Sequence, residues 1–285
     1  MPVIILALLS MVCAAANDFV FKLYARRGGL IGAYLAVIGI VWAGVFLSLL
    51  PTLKCLLNGN TLFWGIVSGA FSILSNVLFV KALAKEDVGI CATIYRLNLV
   101  PAALLAFILF KEPVTAPRLA AIASGGAAVL LFSWPSGKAI LRPLFSTTIA
   151  CIILASVLRA GMGLSYKAGL MHGVNGYGLL AINGLIWISG GLIHHFLVDR
   201  ETGRIPPSLI AYGGLSGILV CGIALFMMLA LKHGDASLVL PVTQMSFVLT
   251  ALAGIVLMKE PLTTRKCAGV ALGVCCILLM GVTRR

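Results

Sequence analysis

The chain has 285 residues, of which 61% are hydrophobic and 10% charged, and its net charge is +13. Soluble domains are about 45–50% apolar and about 25% charged. This composition excludes a soluble enzyme, which could not cover its surface with polar groups, and a disordered chain, which needs few apolar residues. The basic residues form no cluster longer than a pair such as Arg26-Arg27, so no nucleic-acid partner is indicated. The class that remains is a polytopic protein of the lipid bilayer.

Ten apolar segments follow one another along the chain, and each is long enough to cross a bilayer as a helix. Polar or turn-forming breaks separate them, and the loops are too short for an extramembrane domain. The first segment lacks the positive stretch of a signal peptide, so we expect it to be kept. The predicted spans are 3–25, 31–50, 62–84, 88–110, 116–134, 146–170, 176–198, 208–231, 236–258 and 263–282. The predicted fold is an all-α integral membrane protein.

An internal repeat organises these ten spans. Residues 82–131 align without gaps to residues 230–279, so Lys-Glu-Pro at 111–113 recurs at 259–261 and Asp87 recurs as Asp235. The repeat divides the chain into residues 1–136 and 137–285, with five helices in each part. Because five is odd, the second copy is predicted to be inverted in the membrane, as in many secondary transporters.

The helix number, the repeat and a Glu-Pro turn after the fourth helix of each half resemble the drug/metabolite transporter superfamily, EamA type. The resemblance implies a secondary transporter of small metabolites, often an exporter, that works by alternating access. It implies a multi-pass protein of the inner membrane. It also implies a central cavity lined mainly by the first, third, fourth, sixth, eighth and ninth helices. It names no substrate, and we expect no cofactor.

Charged residues inside the spans are the most informative for function, because a charge at the membrane centre is costly unless it faces a cavity or a partner. Arg159 lies near the middle of the sixth span, about 20 Å from its start at 1.5 Å per residue, and cannot easily reach an interface. Arg96 lies about two turns inside the fourth span. Several buried cations and one well-buried acid leave an excess of positive charge. We therefore expect a substrate that carries a carboxylate or phosphate, such as an amino acid or a related metabolite.

Polar side chains with helical spacing accompany these arginines on the helices that the resemblance places at the cavity. For any single residue, a hydrogen bond between helices is the plainer interpretation. The predicted substrate-binding residues are Arg159, Arg96, Tyr95, Asn98, Gln244, Ser246, Asn76 and Tyr166.

Asp18 is the only acid well inside a predicted span. It lies four residues before Lys22, so a local ion pair is one interpretation. A role as a proton site is the other, because desolvation raises the pKa of a carboxyl group. The repeat places Lys22 opposite Lys167, and we treat these three residues as candidates for coupling or ion pairing.

Other motifs have structural interpretations. The Glu-Pro turns end helices, after which Thr115 and Thr263 fit N-cap positions. Asp87 and Asp235 are expected to cap the fourth and ninth helices. Two Gly-xxx-Gly faces, at 65–69 and 213–217, predict close helix packing, with a homodimer interface as the alternative. Pro101 and Pro241 are expected to kink their helices.

Other functions are compatible with a polytopic membrane protein. A multidrug exporter of neutral or cationic compounds remains open, with the arginines bracing helices, and so does a lipid-carrier flippase. An enzyme is not expected, because DDxxD, GxSxG and HExxH motifs are absent from the sequence. The eight scattered cysteines and the pair His194-His195 do not predict a metal site.

Overall fold

The computed structural model describes residues 3–25, 30–52, 54–83, 91, 94–133, 147–199, 206–250, 252 and 263–282. Regular structure in this part of the chain is helical, with no strand. In chain order the helices are α1 (Val3–Ala25), α2 (Ile31–Ser48), α3 (Lys54–Leu57), α4 (Gly59–Leu83), α5 (Leu99–Leu109), α6 (Ala116–Ser133), α7 (Thr147–Met171), α8 (Gly176–His194), α9 (Pro207–His233), α10 (Ala236–Gln244) and α11 (Thr264–Val282). A π-helical turn, His195–Asp199, extends α8.

The helices confirm the predicted all-α membrane fold. Among the described residues, seven helices are long and apolar enough to cross a membrane, and three shorter apolar helices cover 94–109, 116–131 and 236–250. These ten segments correspond one to one with the ten predicted spans, and most described ends agree within three residues. The short α3 was not predicted, because four residues carry no readable hydrophobic period.

The first of two compact units contains residues 1–73 and 165–233. Helices α2 and α8 approach closely within it, since a Cβ added to Gly39 would lie 2.6 Å from the Ile188 backbone nitrogen. The predicted Gly-xxx-Gly faces also pack inside this unit: a Cβ on Gly65 would meet Ile182, and one on Gly217 would meet Val41. In lipid there is no hydrophobic driving force between apolar helices, so their association depends on close van der Waals packing. Small residues allow the two backbones to approach closely enough for such packing.

The second compact unit contains residues 74–164 and 234–285, so both units draw on both halves of the sequence. Helix α6 packs against α11 within it, with Gly125 facing Cys276. Helix α5 packs against α10. These are the apolar helices of the fourth and ninth spans, which the repeat aligns with each other.

Candidate substrate-binding site

Two interrupted helices lie side by side in the second unit. The helical segment 94–109 is broken by a turn at Leu97 and Asn98, and the segment 236–250 is broken by a turn at Met245. The repeat shift of 148 residues places Leu97 opposite Met245, so the two interruptions occupy equivalent positions. Interrupted helices at corresponding positions of two repeats are a common sign of a transporter binding site.

The same hydrogen bond marks both interruptions. Val100 N donates to Leu97 O at 3.0 Å, and its repeat equivalent Val248 N donates to Met245 O at 3.0 Å. In a regular α-helix each amide would bond to the residue four positions back, which is Arg96 in the first case and Gln244 in the second. Each bond spans three residues instead of four, so the backbone forms a 3₁₀ turn from Leu97 to Val100 and another from Met245 to Val248.

The predicted proline kinks do not account for these breaks. Pro101 lies in the first turn of α5, where proline is tolerated, and the break precedes it. Pro241 lies inside α10, four residues before Met245. The prolines do not align in the repeat, whereas the breaks do.

Tyr95 joins three helical segments of the second unit. Its ring stacks on Phe79 of α4 with centroids 4.3 Å apart. Ser75 Oγ of α4 hydrogen-bonds both the Tyr95 hydroxyl, at 3.2 Å, and the Ala155 carbonyl oxygen of α7, at 2.7 Å. Asn98 Nδ2 donates to the Tyr95 carbonyl oxygen at 3.0 Å, and the Asn98 side chain is buried. The site residues predicted on the fourth span are thus linked to both the third and sixth spans.

Arg159 lies one helical turn beyond Ala155, on the same face of α7. One turn further on that face, Gly163 packs against Leu240 of α10, where a Cβ would lie 2.6 Å from a Leu240 methyl carbon. The half-buried guanidinium has a weak acceptor, since Nη1 lies 3.7 Å from the Met162 thioether sulfur. In the part of the chain that the structure describes, no carboxylate pairs with Arg159.

The remaining predicted residues of the second unit lie around the interruptions. The Arg96 guanidinium lies 5.5 Å from the centre of the Phe247 ring, a cation–π geometry. Gln244 and Ser246 flank the break at Met245, and Ser246 is buried. Asn76 is half-buried beside Ser75 on α4.

The other predicted residues belong to the first unit. Tyr166 is fully buried and donates its hydroxyl to Asn183 Oδ1 at 3.0 Å. Lys167 Nζ donates to the Leu231 carbonyl oxygen at 2.9 Å, near the C-terminal end of α9. Asp18 is half-buried on α1, and the Lys22 side chain lies outside the described residues. The predicted residues therefore divide between the two units, with seven in the second.

Asn183, which the sequence left uninterpreted, is the centre of a buried polar network in the first unit. Its amide nitrogen contacts Ser68 Oγ at 2.8 Å and the Gly65 carbonyl oxygen at 3.1 Å, and its oxygen accepts from Tyr166. In the sequence, the one indication of this network is a single amide side chain within the apolar span 176–198.

Glu112 of the first Glu-Pro turn caps α10, which belongs to the other half of the sequence. Its two carboxylate oxygens accept the backbone N–H groups of Ala236, at 2.7 Å, and Ser237, at 2.8 Å. The expectation that Asp235 caps this helix was wrong: its side chain makes no cap bond and instead pairs with Arg118 at 2.6 Å. Glu112 already occupies the first amides of α10, so Asp235 turns to the buried guanidinium. Asp87, Glu260 and Pro261 lie outside the described residues.

His194 and His195 both face an acid that the sequence reading overlooked. Asp199 lies 3.4 Å from His194 Nδ1 and 3.2 Å from His195 Nδ1, and it also accepts the Gly32 N–H at 2.9 Å. The π turn brings this carboxylate back toward the two rings. The arrangement ties α2 to the end of α8.

Ten apolar helical segments in the described part of the chain, two of them interrupted, are typical of a polytopic membrane protein. Residues 146–282 match the model of the EamA-like transporter family. A protein of solved crystal structure shares the fold with a TM-score of 0.84 and 14% identity, over 99% of this chain and 96% of that one. No curated protein matches the chain significantly. The chain is therefore similar to the EamA-like transporter family over its second half, and its apolar helices are those of a multi-pass membrane protein.

Proposed function

We propose that the protein is a secondary active exporter of a small polar metabolite that carries a carboxylate or phosphate group. Its two five-helix halves, 1–136 and 137–285, are proposed to be inverted repeats, and alternating access is the proposed mechanism. The inner membrane is its proposed location. The export direction and this location follow the resemblance to EamA-type transporters.

One observation supports the proposal that the substrate is an anion. The Arg159 guanidinium lies in a spanning helix, and its hydrogen-bond acceptor is a thioether. A thioether sulfur is a weak acceptor, and a guanidinium has five N–H donors. An arginine that only braced helices would be expected to meet carbonyl oxygens or a carboxylate. Carboxylate and phosphate oxygens match the planar fork of donors and supply the missing charge.

The surroundings of Arg159 support a binding site rather than a packing contact. Its neighbour Ala155 is linked through Ser75 to Tyr95, and Gly163 meets α10 one turn away. These contacts support a proposed site where α7 meets the two interrupted helices. Arg96 adds a second cation beside one interruption and is placed against an aromatic ring rather than in lipid.

Thermal unfolding of the purified protein in detergent, against a panel of ligands, tests the proposal. Anionic, zwitterionic, neutral and cationic metabolites would be compared on the wild type and on the Arg159→Gln variant. A ligand at 100 times its dissociation constant adds about 2.7 kcal/mol if it binds the folded state alone. We expect carboxylates or phosphates to stabilise the wild type and to lose this effect in Arg159→Gln.

The matched control is Arg265→Gln, which removes an exposed arginine at the start of α11. This variant should keep the full response to anions. Stabilisation by cationic or neutral hydrophobic compounds alone would contradict the proposal and favour a multidrug exporter. Stabilisation by lipid-linked carriers alone would favour a flippase.

A further inference from the structure

Asn98 carries an unpaired hydrogen-bond acceptor at the interruption of the fourth span. The side chain is 1% exposed, and Oδ1 has no hydrogen-bond partner among the residues that the structure describes. The assignment of oxygen and nitrogen in this amide is not arbitrary, because the group that faces the Tyr95 carbonyl oxygen must donate. The NH₂ group therefore donates to the backbone carbonyl oxygen of Tyr95, and the amide oxygen is the atom without a partner.

A buried acceptor without a partner costs free energy, because its bond to water is lost and nothing replaces it. Most buried polar groups are satisfied, so an exception calls for an explanation. The Asn183 side chain is hydrogen-bonded at both ends, whereas Asn98 Oδ1, like Asn17 Oδ1 of α1, is a buried acceptor without a partner among the described residues. Asn98 differs from Asn183 in its place, since it lies at the paired interruption.

We propose that Asn98 Oδ1 accepts a hydrogen bond from the substrate and thereby selects anions that also carry an N–H or O–H donor. The inference rests on the proposed function, because it concerns the same site and assumes an anion at Arg159. A site built to bond a substrate donor discriminates strongly against the analogue that lacks it, since the buried acceptor then stays unpaired. The buried position means that the substrate reaches Asn98 when the helices around the interruption separate, as alternating access requires.

Matched pairs of small acids test the selection directly. Propanoate would be compared with 2-aminopropanoate and 2-hydroxypropanoate, which differ by one donor group beside the carboxylate. Apparent dissociation constants come from thermal unfolding of the full-length protein in detergent. We expect the wild type to prefer at least one donor-bearing acid over propanoate by about 10-fold or more. The two donor-bearing acids distinguish an amine from a hydroxyl.

The Asn98→Leu variant should bring this preference close to 1 while propanoate still binds in an Arg159-dependent way. Asn98→Asp keeps an acceptor, gives up the bond to Tyr95 and adds a negative charge beside the bound anion. Both kinds of acid should therefore bind more weakly, while the preference is retained. A purely structural role would lower the melting temperature in both variants and leave the preference unchanged, which would overturn the inference. The ratio of two dissociation constants does not depend on how much protein is folded.

The outcomes also separate this inference from the proposed function. If no anion stabilises the wild type, both fail together. If anions stabilise it through Arg159 and the donor group makes no difference, the role of Asn98 alone is refuted.

Discussion

Polar side chains inside the spans fall into two kinds. Asn183 and Tyr166 satisfy each other within the first unit, with Ser68 completing the network. In the second unit, the Arg159 guanidinium has only a weak thioether acceptor among the described residues, and Asn98 Oδ1 accepts no hydrogen bond from them. Satisfied groups hold helices together, whereas an ionisable or polar group with unused donors or acceptors inside a membrane protein is a candidate for binding a ligand.

Replacing Asn183 by leucine tests the structural kind. Asn183→Leu leaves the Tyr166 hydroxyl and the Ser68 hydroxyl without this partner, so the free energy of unfolding should fall by about 1–3 kcal/mol. Thermal unfolding in detergent measures the loss. The control is Ser189→Ala on the same helix, where an exposed hydroxyl bonds within its own turn and little change is expected. Equal stability of the two variants would show that the network contributes nothing measurable.

The Glu-Pro turn joins helices that are distant in sequence. Helix termini leave backbone groups unpaired, and at α10 the carboxylate of Glu112 takes the first two amides. Lys111, immediately before it, has a φ of 52°, which turns the chain so that Glu112 points back toward α10. The turn was correctly interpreted as structural, but its partner helix could not be read from one sequence, because the contact spans 124 residues.

Glu112→Gln should weaken this connection. Glutamine has one oxygen where glutamate has two, so one of the two α10 amides would face an NH₂ group. We expect the free energy of unfolding to fall by about 1–3 kcal/mol. Lys111→Gln is the matched control, because its side chain is exposed and adjacent. If Glu112→Gln and Lys111→Gln unfold at the same temperature as the wild type, the cap does not stabilise the second unit.

Span positions could be predicted from the sequence because a bilayer imposes a minimum apolar length, and ten such lengths are separated by charged or turn-forming residues. The interruptions could not be located in this way. Proline is the usual signal for a break, yet Leu97 and Met245, where the breaks fall, are ordinary helix formers. The repeat alignment pairs these two residues, but it pairs every position of 82–131 with one of 230–279 in the same way and so does not single them out. Asp235 was misassigned because capping is a local rule and Arg118 is far away in sequence.

The inverted repeat makes a prediction about membrane sidedness. Val114 follows the fourth span and Thr263 follows the ninth, and both side chains are exposed. A single cysteine at each position, after replacement of the eight native cysteines, should react with a membrane-impermeant maleimide from opposite sides. Thr52→Cys, which follows the second span, is the control and should label from the same side as Val114→Cys. Labelling of Val114→Cys and Thr263→Cys from one side would refute the inversion.

The most direct test of the account is transport by the protein in lipid vesicles. Vesicles would be loaded with a mixture of carboxylates, phosphorylated sugars, neutral sugars and quaternary amines, and the contents retained over time measured by mass spectrometry. The account predicts that wild type and Arg265→Gln release anionic compounds, and that Arg159→Gln does not. Release of quaternary amines alone, or release of anions that Arg159→Gln leaves unchanged, would contradict it.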